Sequence, residues 1–445
     1  MQQKYSFDTL TVLRFFAALI VALHHTVNYF SWPHFAGVEG LARNGWLCVD
    51  FFFILSGFVL MWSFRPDDNK TAFIWRRIIR IYPLHIITLC LSICAFYVLG
   101  SPLAGYNGGT ESVFINMFLL QAWFPNNKLL LSSWNGVSWT LSAELFFYVT
   151  APICFPVLNF LFNWKTLLPF LFCLWLGLFL TALNAVGGHS CIIDSNCLFN
   201  LLDISTLIES RTTTEQYVNS LYTYLLHRPA DADGLAYWIK QIDSGIATRA
   251  IVAQEFLAVN DHDLLNFLSY NPLVKWIDFI LGASLVLLFK KKVKTYSKNA
   301  LLLMLIVAIT LIFGLISAHH YLSKILNFPI AAPIDSALFI PGALLLIYAA
   351  SCWDFGRRTK YWQEPFLILL GESSFAIYMV HALALGAIAV CLDYFKWFGY
   401  NSDSMKVSEL ITLLFLIIYT LLGVITHKYL EQPIRRYLLK TMSIS

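Results

Sequence analysis

The sequence predicts an all-α polytopic membrane protein of about ten transmembrane helices plus a small helical extracytoplasmic domain. Three observations carry that expectation. Of 445 residues, 58% are hydrophobic and 13% charged, whereas a soluble domain is about half apolar and a quarter charged; mean hydropathy is +0.66. Apolar runs of the roughly 20 residues needed to cross a bilayer recur along the chain. Between those runs the basic residues sort to alternate loops.

Taken in order, the spans lie near residues 8–30, 46–63, 80–99, 139–162, 166–187, 272–290, 299–318, 334–352, 371–392 and 407–428. The stretch 111–124 is apolar but short, and reads as a re-entrant or interfacial segment. The first run is long, has no small-residue cleavage site and contains Arg14, so no cleavable signal peptide is expected. With the N-terminus inside, the inner segments hold Lys4, five basic residues over 65–80, Lys165, five over 290–298, three over 357–360 and four over 428–440. Those are 19 of the 30 lysines and arginines, so both termini are expected in the cytoplasm. The net charge of +4 is then loop sorting; the lipid bilayer is the partner it implies, and no nucleic acid is.

Residues 188–270 break the apolar pattern and divide the chain into a first membrane part (1–187, five spans), an inserted outside domain and a second membrane part (271–445, five spans). The insert has ten acidic and four basic residues, a net charge of −6. "YVNSLYTYLL" and "GLAYWIKQI" place Leu, Tyr and Trp at helical spacing. "RPADADG" is a turn broken by Pro229 and Gly234, and "GIATRAIVAQEFL" a further helix capped at Thr248. "DADG" begins like a calcium loop, but its ligand series stops early and it reads as an acidic turn. Cys191 and Cys197 flank "IIDSN" and would allow a disulfide in an oxidising compartment; the other cysteines lie in or near spans. The segment from "YVNSLYTYLL" to "VAQEFL" (217–257) resembles a small helical domain of unknown function from bacterial surface and secreted proteins, by its LY…L.R.P.D..GL.YW…G…R…F pattern.

Ionisable groups inside a span are costly and face the bundle interior or a watery cavity, so they are the functional candidates. In the first helix, 100° per residue brings Arg14 and His25 within about 20° of each other, roughly 16 Å apart along the axis, while His24 is about 80° away. Asp50 lies near the outer end of the second span, as an interfacial cap or a working carboxylate. Ser56 and Gly57 in that span permit close backbone approach. "WRRIIRIYPLH" gathers Arg76, Arg77 and Arg80 beside the third span, where the fixed fork of each guanidinium suits phosphate. Glu144 sits in the outer part of the fourth span and needs a partner or a task. Ser374, Tyr378 and His381 share a face in the ninth, and Glu431 is expected to pair with nearby arginines. No metal-ligand set stands out.

In order, these stretches resemble a bacterial membrane-bound acyltransferase family, acyltransferase 3. Arg14, Ala17, Val21 and His25 fit its Arg-to-His frame in the first span, and His24 does not. Val49, Asp50, Phe52, Phe53, Leu55, Ser56, Gly57 and Phe58 match VD.FF.LSGF. Arg76, Arg77, Arg80, Ile81 and Pro83 match RR..RI.P; Trp139, Leu141, Glu144, Phe147 and Tyr148 match W.L..E..FY. "NPLVKWIDFILG", "SFAIYMVH" and "EQP" complete the series. Departures are Phe15 where Gly often stands, Asp278 where Glu is more usual and Gln432 where Arg is common.

That resemblance implies an integral membrane enzyme of the bacterial inner membrane, moving an acetyl or other acyl group from acyl-CoA onto a hydroxyl of a surface or exported glycan or glycolipid. Acetyl-CoA (acyl-CoA) is then a donor substrate, with no permanently bound cofactor. It implies that His25 is catalytic, as general base or acyl carrier; Glu144, at a depth comparable to His25, is expected to orient it or bind the acceptor, with Asp50 a weaker second candidate. Arg14, Arg76, Arg77 and Arg80 would bind the donor's phosphates; Ser56, Tyr378 and His381 would line the channel or the acceptor site. Two rival readings remain: a transporter or flippase of a lipid-linked sugar, and an acceptor-binding role for residues 188–270.

Overall fold

A computed structural model describes residues 7–29, 42, 44–100, 102–161, 164–186, 212–225, 229–244, 249, 252, 262–292, 296–325, 332–356, 363–396 and 409–442. It is a helical bundle with two isolated β-bridges among the described residues. Nine described helices are long and apolar enough to cross a membrane, and a shorter apolar stretch lies at Pro169–Ala182. The expected all-α polytopic membrane class is the observed one. Cys191, Cys197 and the Thr248 cap lie outside the described residues.

In chain order the helices are α1 (Asp8–Tyr29), α2 (Cys48–Ser63, entered through a 3-10 turn), α3 (Lys70–Leu99), α4 (Gly109–Met117), α5 (Lys128–Leu131), α6 (Trp139–Leu161), α7 (Trp164–Val186), α8 (Thr214–Leu225), α9 (Ala232–Asp243), α10 (His262–Tyr270), α11 (Pro272–Lys292), α12 (Lys298–Ile325), α13 (Ala332–Phe355), α14 (Pro365–Glu372), α15 (Ser374–Lys396), α16 (Glu409–Thr426) and α17 (Gln432–Thr441).

Helix α1 is the hub of the bundle, packing on α2, α13, α14, α15 and α16. Its first turn is capped from a distance: the buried Asp354 carboxylate accepts hydrogen bonds from Thr9 N (3.1 Å) and Thr9 Oγ (2.5 Å). The closest helix pair is α2 with α11. There Gly57 and Gly282 face the partner backbone, and a Cβ on either would collide with a carbonyl, of Phe279 and Ile54 respectively. Around that crossing Phe53, Phe147, Phe155 and Phe279 are fully buried, with the Phe147 and Phe279 rings stacked at 4.8 Å.

Two elements differ from expectation. The third span begins at Lys70 and not near residue 80, because Asn69 caps it by accepting from Thr71 N and Ala72 N; Arg76, Arg77 and Arg80 therefore belong to the helix itself. Residues 262–270, read from sequence as the end of the insert, form α10, which packs on α7, α11 and α13. Leu268 is buried there, and Trp139 stacks edge-on against Tyr270 at 5.0 Å.

The region 102–138 is folded back on α3 and α15 through buried polar bonds. His85 Nε2 meets Asn116 O at 2.8 Å, Asn116 Nδ2 donates to Ser133 Oγ, Ser92 Oγ to Trp134 O, and Asn135 Nδ2 to Met379 O at 3.2 Å. Trp134 accepts the left-handed backbone (φ 61°) that aims this turn inward. In the insert, α8 and α9 pack through Tyr217, Leu221, Tyr222 and Trp238, and Asp231 of "DADG" caps α9 by accepting from Gly234 N at 2.8 Å.

Candidate functional site

Two adjoining cavities open between α1, α2, α6 and α15. Arg14, Phe52, Glu144 and Phe375 line both. One, of ≈ 500 Å³, is also lined by Ser56, Arg80 and Tyr148. The other, of ≈ 430 Å³, is also lined by Thr140, Ser374 and Tyr378. Of the residues expected from sequence, Arg14, Ser56, Arg80, Glu144, Ser374 and Tyr378 therefore line this pair of cavities, a chamber in two parts with shared walls.

Glu144 is held within it. Tyr148, one turn on, donates its hydroxyl to Glu144 Oε2 at 2.6 Å, and Arg14 and Arg80 are its charged neighbours. The carboxylate does not reach His25: its contacts belong to the arginine end, where it offsets part of a positive cluster. Arg77 stands beside Arg80. One of its Nη atoms donates to Ser63 Oγ at 2.9 Å, while its buried Nε has no partner among the described residues. Arg76 turns away to Asp68 at 3.4 Å, because it lies about 100° from Arg77 on the helix surface.

Tyr378 links the chamber to the histidines. Its hydroxyl donates to Val137 O at 3.1 Å, tying α15 to the turn before α6, and its ring lies 5.8 Å from that of His381. The His381 ring is 5.2 Å from His25. Thus His25 and His381, from the two ends of the chain, meet beyond Tyr378, with Arg14 at the chamber end of the same α1 stripe. Among the described residues no hydrogen bond engages either His25 ring nitrogen. His24 is tied down instead: its Nδ1 meets Ala42 O at 3.1 Å, and Asn28 Nδ2 its Nε2 at 3.1 Å.

His381 is fully buried. Its Nδ1 lies 2.6 Å from Tyr378 O, and since a carbonyl only accepts, Nδ1 carries the proton. Nε2 is then an acceptor, and it has no partner among the described residues. Such a buried, unmet polar atom costs about 1–3 kcal/mol and calls for a reason.

Asp50 is not brought to the chamber. Lys275 Nζ donates to its Oδ1 at 2.7 Å and Ser336 Oγ to its Oδ2 at 2.7 Å, with Lys275 and Asp50 side chains 6% and 1% exposed; Asp278 adds a second buried carboxyl beside them. The cluster pins α2, α11 and α13 together. Sequence reasoning named Asp50 and missed its partners, because nothing local links residue 50 to residues 275 and 336. Glu431 bonds His427 Nδ1 at 2.7 Å, with the charges of Arg14 and Arg435 near it and no arginine hydrogen-bonded to it among the described residues; a π-helical turn over 427–431 places Glu431 and His427 side by side.

A family model described as an acyltransferase domain matches residues 7–230, half of the chain, and a domain of unknown function (DUF4214) matches residues 204–262. Among curated proteins, "Acyltransferase MdmB" of Streptomyces mycarofaciens is 35% identical over 154 residues, 34% of this chain and 40% of that protein. "Nodulation protein 10" of Rhizobium leguminosarum bv. viciae is 28% identical over 176 residues, 35% of this chain and 45% of that protein. The chain thus spans less than half the length of the curated relatives it matches. No solved structure matches. With a family match that takes in α1, the arginine helix and Glu144, the chain belongs to the acyltransferase-domain family.

Proposed function

We propose that this protein is an integral membrane O-acyltransferase that takes an acyl group, acetyl in the simplest case, from acyl-CoA and places it on a hydroxyl of a surface or exported glycan. The observation that supports the reading is an alignment: Arg14, Arg80, Glu144 and Tyr378 line two adjoining cavities, and beyond Tyr378 the rings of His381 and His25 meet. A donor with a phosphorylated head and a long thin arm ending in a thioester fits such an alignment: its anionic end meets guanidinium forks, and its reactive end reaches an imidazole. The arginine end is taken as cytoplasmic, with both termini, in line with the distribution of Lys and Arg. The insert then lies on the opposite side, in reach of an exported acceptor.

In the reaction proposed, His25 accepts the proton of the acceptor hydroxyl as its oxygen attacks the thioester carbonyl carbon. The C–S bond breaks, the sulfur leaves as thiolate, and the histidine returns the proton to give free CoA and an ester. Glu144 offsets part of the positive charge of Arg14 and Arg80, and Tyr148 holds Glu144.

The test is acetyl transfer by the full chain in nanodiscs, followed by free thiol release and by O-acetyl signals in surface glycans of expressing cells. His25→Ala is expected to lose both while reaching the membrane in normal amount; His24→Ala should keep at least a third of the rate. An active His25→Ala protein, or a loss confined to His24→Ala, overturns the assignment.

A further inference from the structure

His381 is sealed from solvent, donates through Nδ1 to Tyr378 O at 2.6 Å, and leaves Nε2 without a partner among the described residues. Three rings surround it: Tyr378 on its own helix, Tyr419 on α16 at 6.3 Å, and His25 on α1 at 5.2 Å. The Tyr378 hydroxyl donates to Val137 O, and the Tyr419 hydroxyl accepts from Thr26 Oγ at 3.4 Å; among the described residues neither bonds His381 Nε2. His25 is the neighbour whose ring nitrogens make no hydrogen bond among the described residues. A centroid separation of 5.2 Å leaves room for one nitrogen–nitrogen hydrogen bond of about 3 Å once each ring's radius is taken off. The rings are tilted by 37°, and a modest turn of His25 aligns them; catalytic hydrogen bonds commonly tighten when substrate binds.

We propose that His381 is the positioning partner of His25: its Nε2 accepts a hydrogen bond from the second ring nitrogen of His25, fixing the tautomer whose lone pair faces the acceptor hydroxyl. The assignment rests on His25 acting as the base. When the hydroxyl proton moves to His25, the ring becomes an imidazolium, and the bond to His381 spreads its charge. In serine hydrolases a carboxylate orients the histidine in this way. Here the nearby carboxylates are committed, Asp50 to Lys275 and Glu144 to Tyr148. A neutral imidazole does the same work without burying another anion in the bundle. The Tyr378 carbonyl, by taking the Nδ1 proton, keeps Nε2 in its acceptor form, as the bond made by one ring nitrogen sets the protonation of the other.

Two substitutions separate positioning from packing. His381→Asn keeps an amide N–H where Nδ1 sits but removes the Nε2 acceptor; His381→Gln reaches the Nε2 position. With acetyl-CoA as donor and host surface polysaccharide as acceptor, His381→Asn is expected to lower kcat about 100-fold with KM for acetyl-CoA within threefold of wild type. His381→Gln should recover at least tenfold of that loss, and His25→Ala/His381→Asn should be no slower than His25→Ala alone. Equal impairment of both His381 variants in monodisperse protein, a raised KM, or a kcat within threefold in His381→Asn overturns the proposal. If His381→Asn does not purify, His381→Gln decides alone: a kcat more than tenfold below wild type in monodisperse protein, or a changed KM, refutes it. An active His25→Ala protein refutes the acyl-transfer reading itself, whereas an inactive His25→Ala with a fully active His381→Asn refutes only the pairing.

Discussion

Replacing Asp50 by asparagine removes a charge and little else, which makes it a sharp probe of the α2–α11–α13 cluster. Asp50 and Lys275 lie 2.7 Å apart with side chains 1% and 6% exposed. At an effective dielectric constant of about 20 the attraction over that distance is about 6 kcal/mol, most of it offset by the desolvation of two buried ions. What survives shows when one partner is removed, at about 3–5 kcal/mol, or a factor of about 10²–10⁴ in the folding equilibrium. The neighbouring carboxyl of Asp278 makes the two deletions unequal. Asp50→Asn leaves Lys275 with Asp278 for company, and the new amide oxygen still accepts from Ser336, so its cost falls near the low end, about 3 kcal/mol. Lys275→Met leaves two buried carboxyls without a cation and costs about 5 kcal/mol or more. With the other eight cysteines replaced by serine, Cys48, buried two residues before Asp50, supplies the assay: thermal unfolding in detergent is followed by its labelling with a thiol-reactive dye. Asp50→Asn should unfold earlier than wild type and later than Lys275→Met, yet transfer acyl groups at the wild-type rate per folded molecule. A fully stable but inactive Asp50→Asn protein, or a Lys275→Met protein milder than Asp50→Asn, would refute the reasoning.

Other consequences follow from the same contacts. Arg80→Ala should raise KM for acetyl-CoA at least tenfold in steady-state kinetics while Arg76→Ala, already diverted to Asp68, changes it less than threefold. Gly282→Ala and Gly57→Ala each push a methyl group into a helix carbonyl, and neither should purify as a monodisperse species on size exclusion, since small residues alone allow that crossing. Asp354→Ala strips the cap from α1 and should cost about 2 kcal/mol, read as earlier dye labelling on heating. An Asp354→Asn protein, which keeps an acceptor for Thr9, should recover most of that loss.

How much of this was legible in the sequence depended on distance along the chain. The spans were legible because bilayer thickness sets a run length that composition alone reveals. The Arg14–His25 stripe was legible because eleven residues make almost three whole turns of one helix, and the structure places Arg14 at the chamber and His25 at its far end. The third span's true start was hidden by its charged first turns: Arg76, Arg77 and Arg80 look like loop until Asn69 is seen capping them. Pairings between helices left no local trace. Glu144 was expected near His25 on depth alone, but depth fixes only one coordinate, and the azimuth of α6 turns it to Arg14 and Arg80. The partnership of Asp50 with Lys275, and the approach of His25 to His381, depend on how the helices are arranged around α1, which periodicity within any one helix cannot encode.

The long reach of these bonds bears on how the protein is made. The acceptor that completes the first turn of α1 is residue 354, and the cation that neutralises Asp50 is residue 275. A chain emerging from the ribosome therefore sets α1 and α2 into the bilayer hundreds of residues before their partners exist. Throughout synthesis the helices that carry Arg14, His25 and Asp50 are unfinished, with an uncapped end and an unmatched charge. The chamber comes into being only when α15 docks, so a truncated product holds its motifs but not its site. Quality control that senses exposed intramembrane charge would find in Asp50 a timer that stops with the arrival of Lys275.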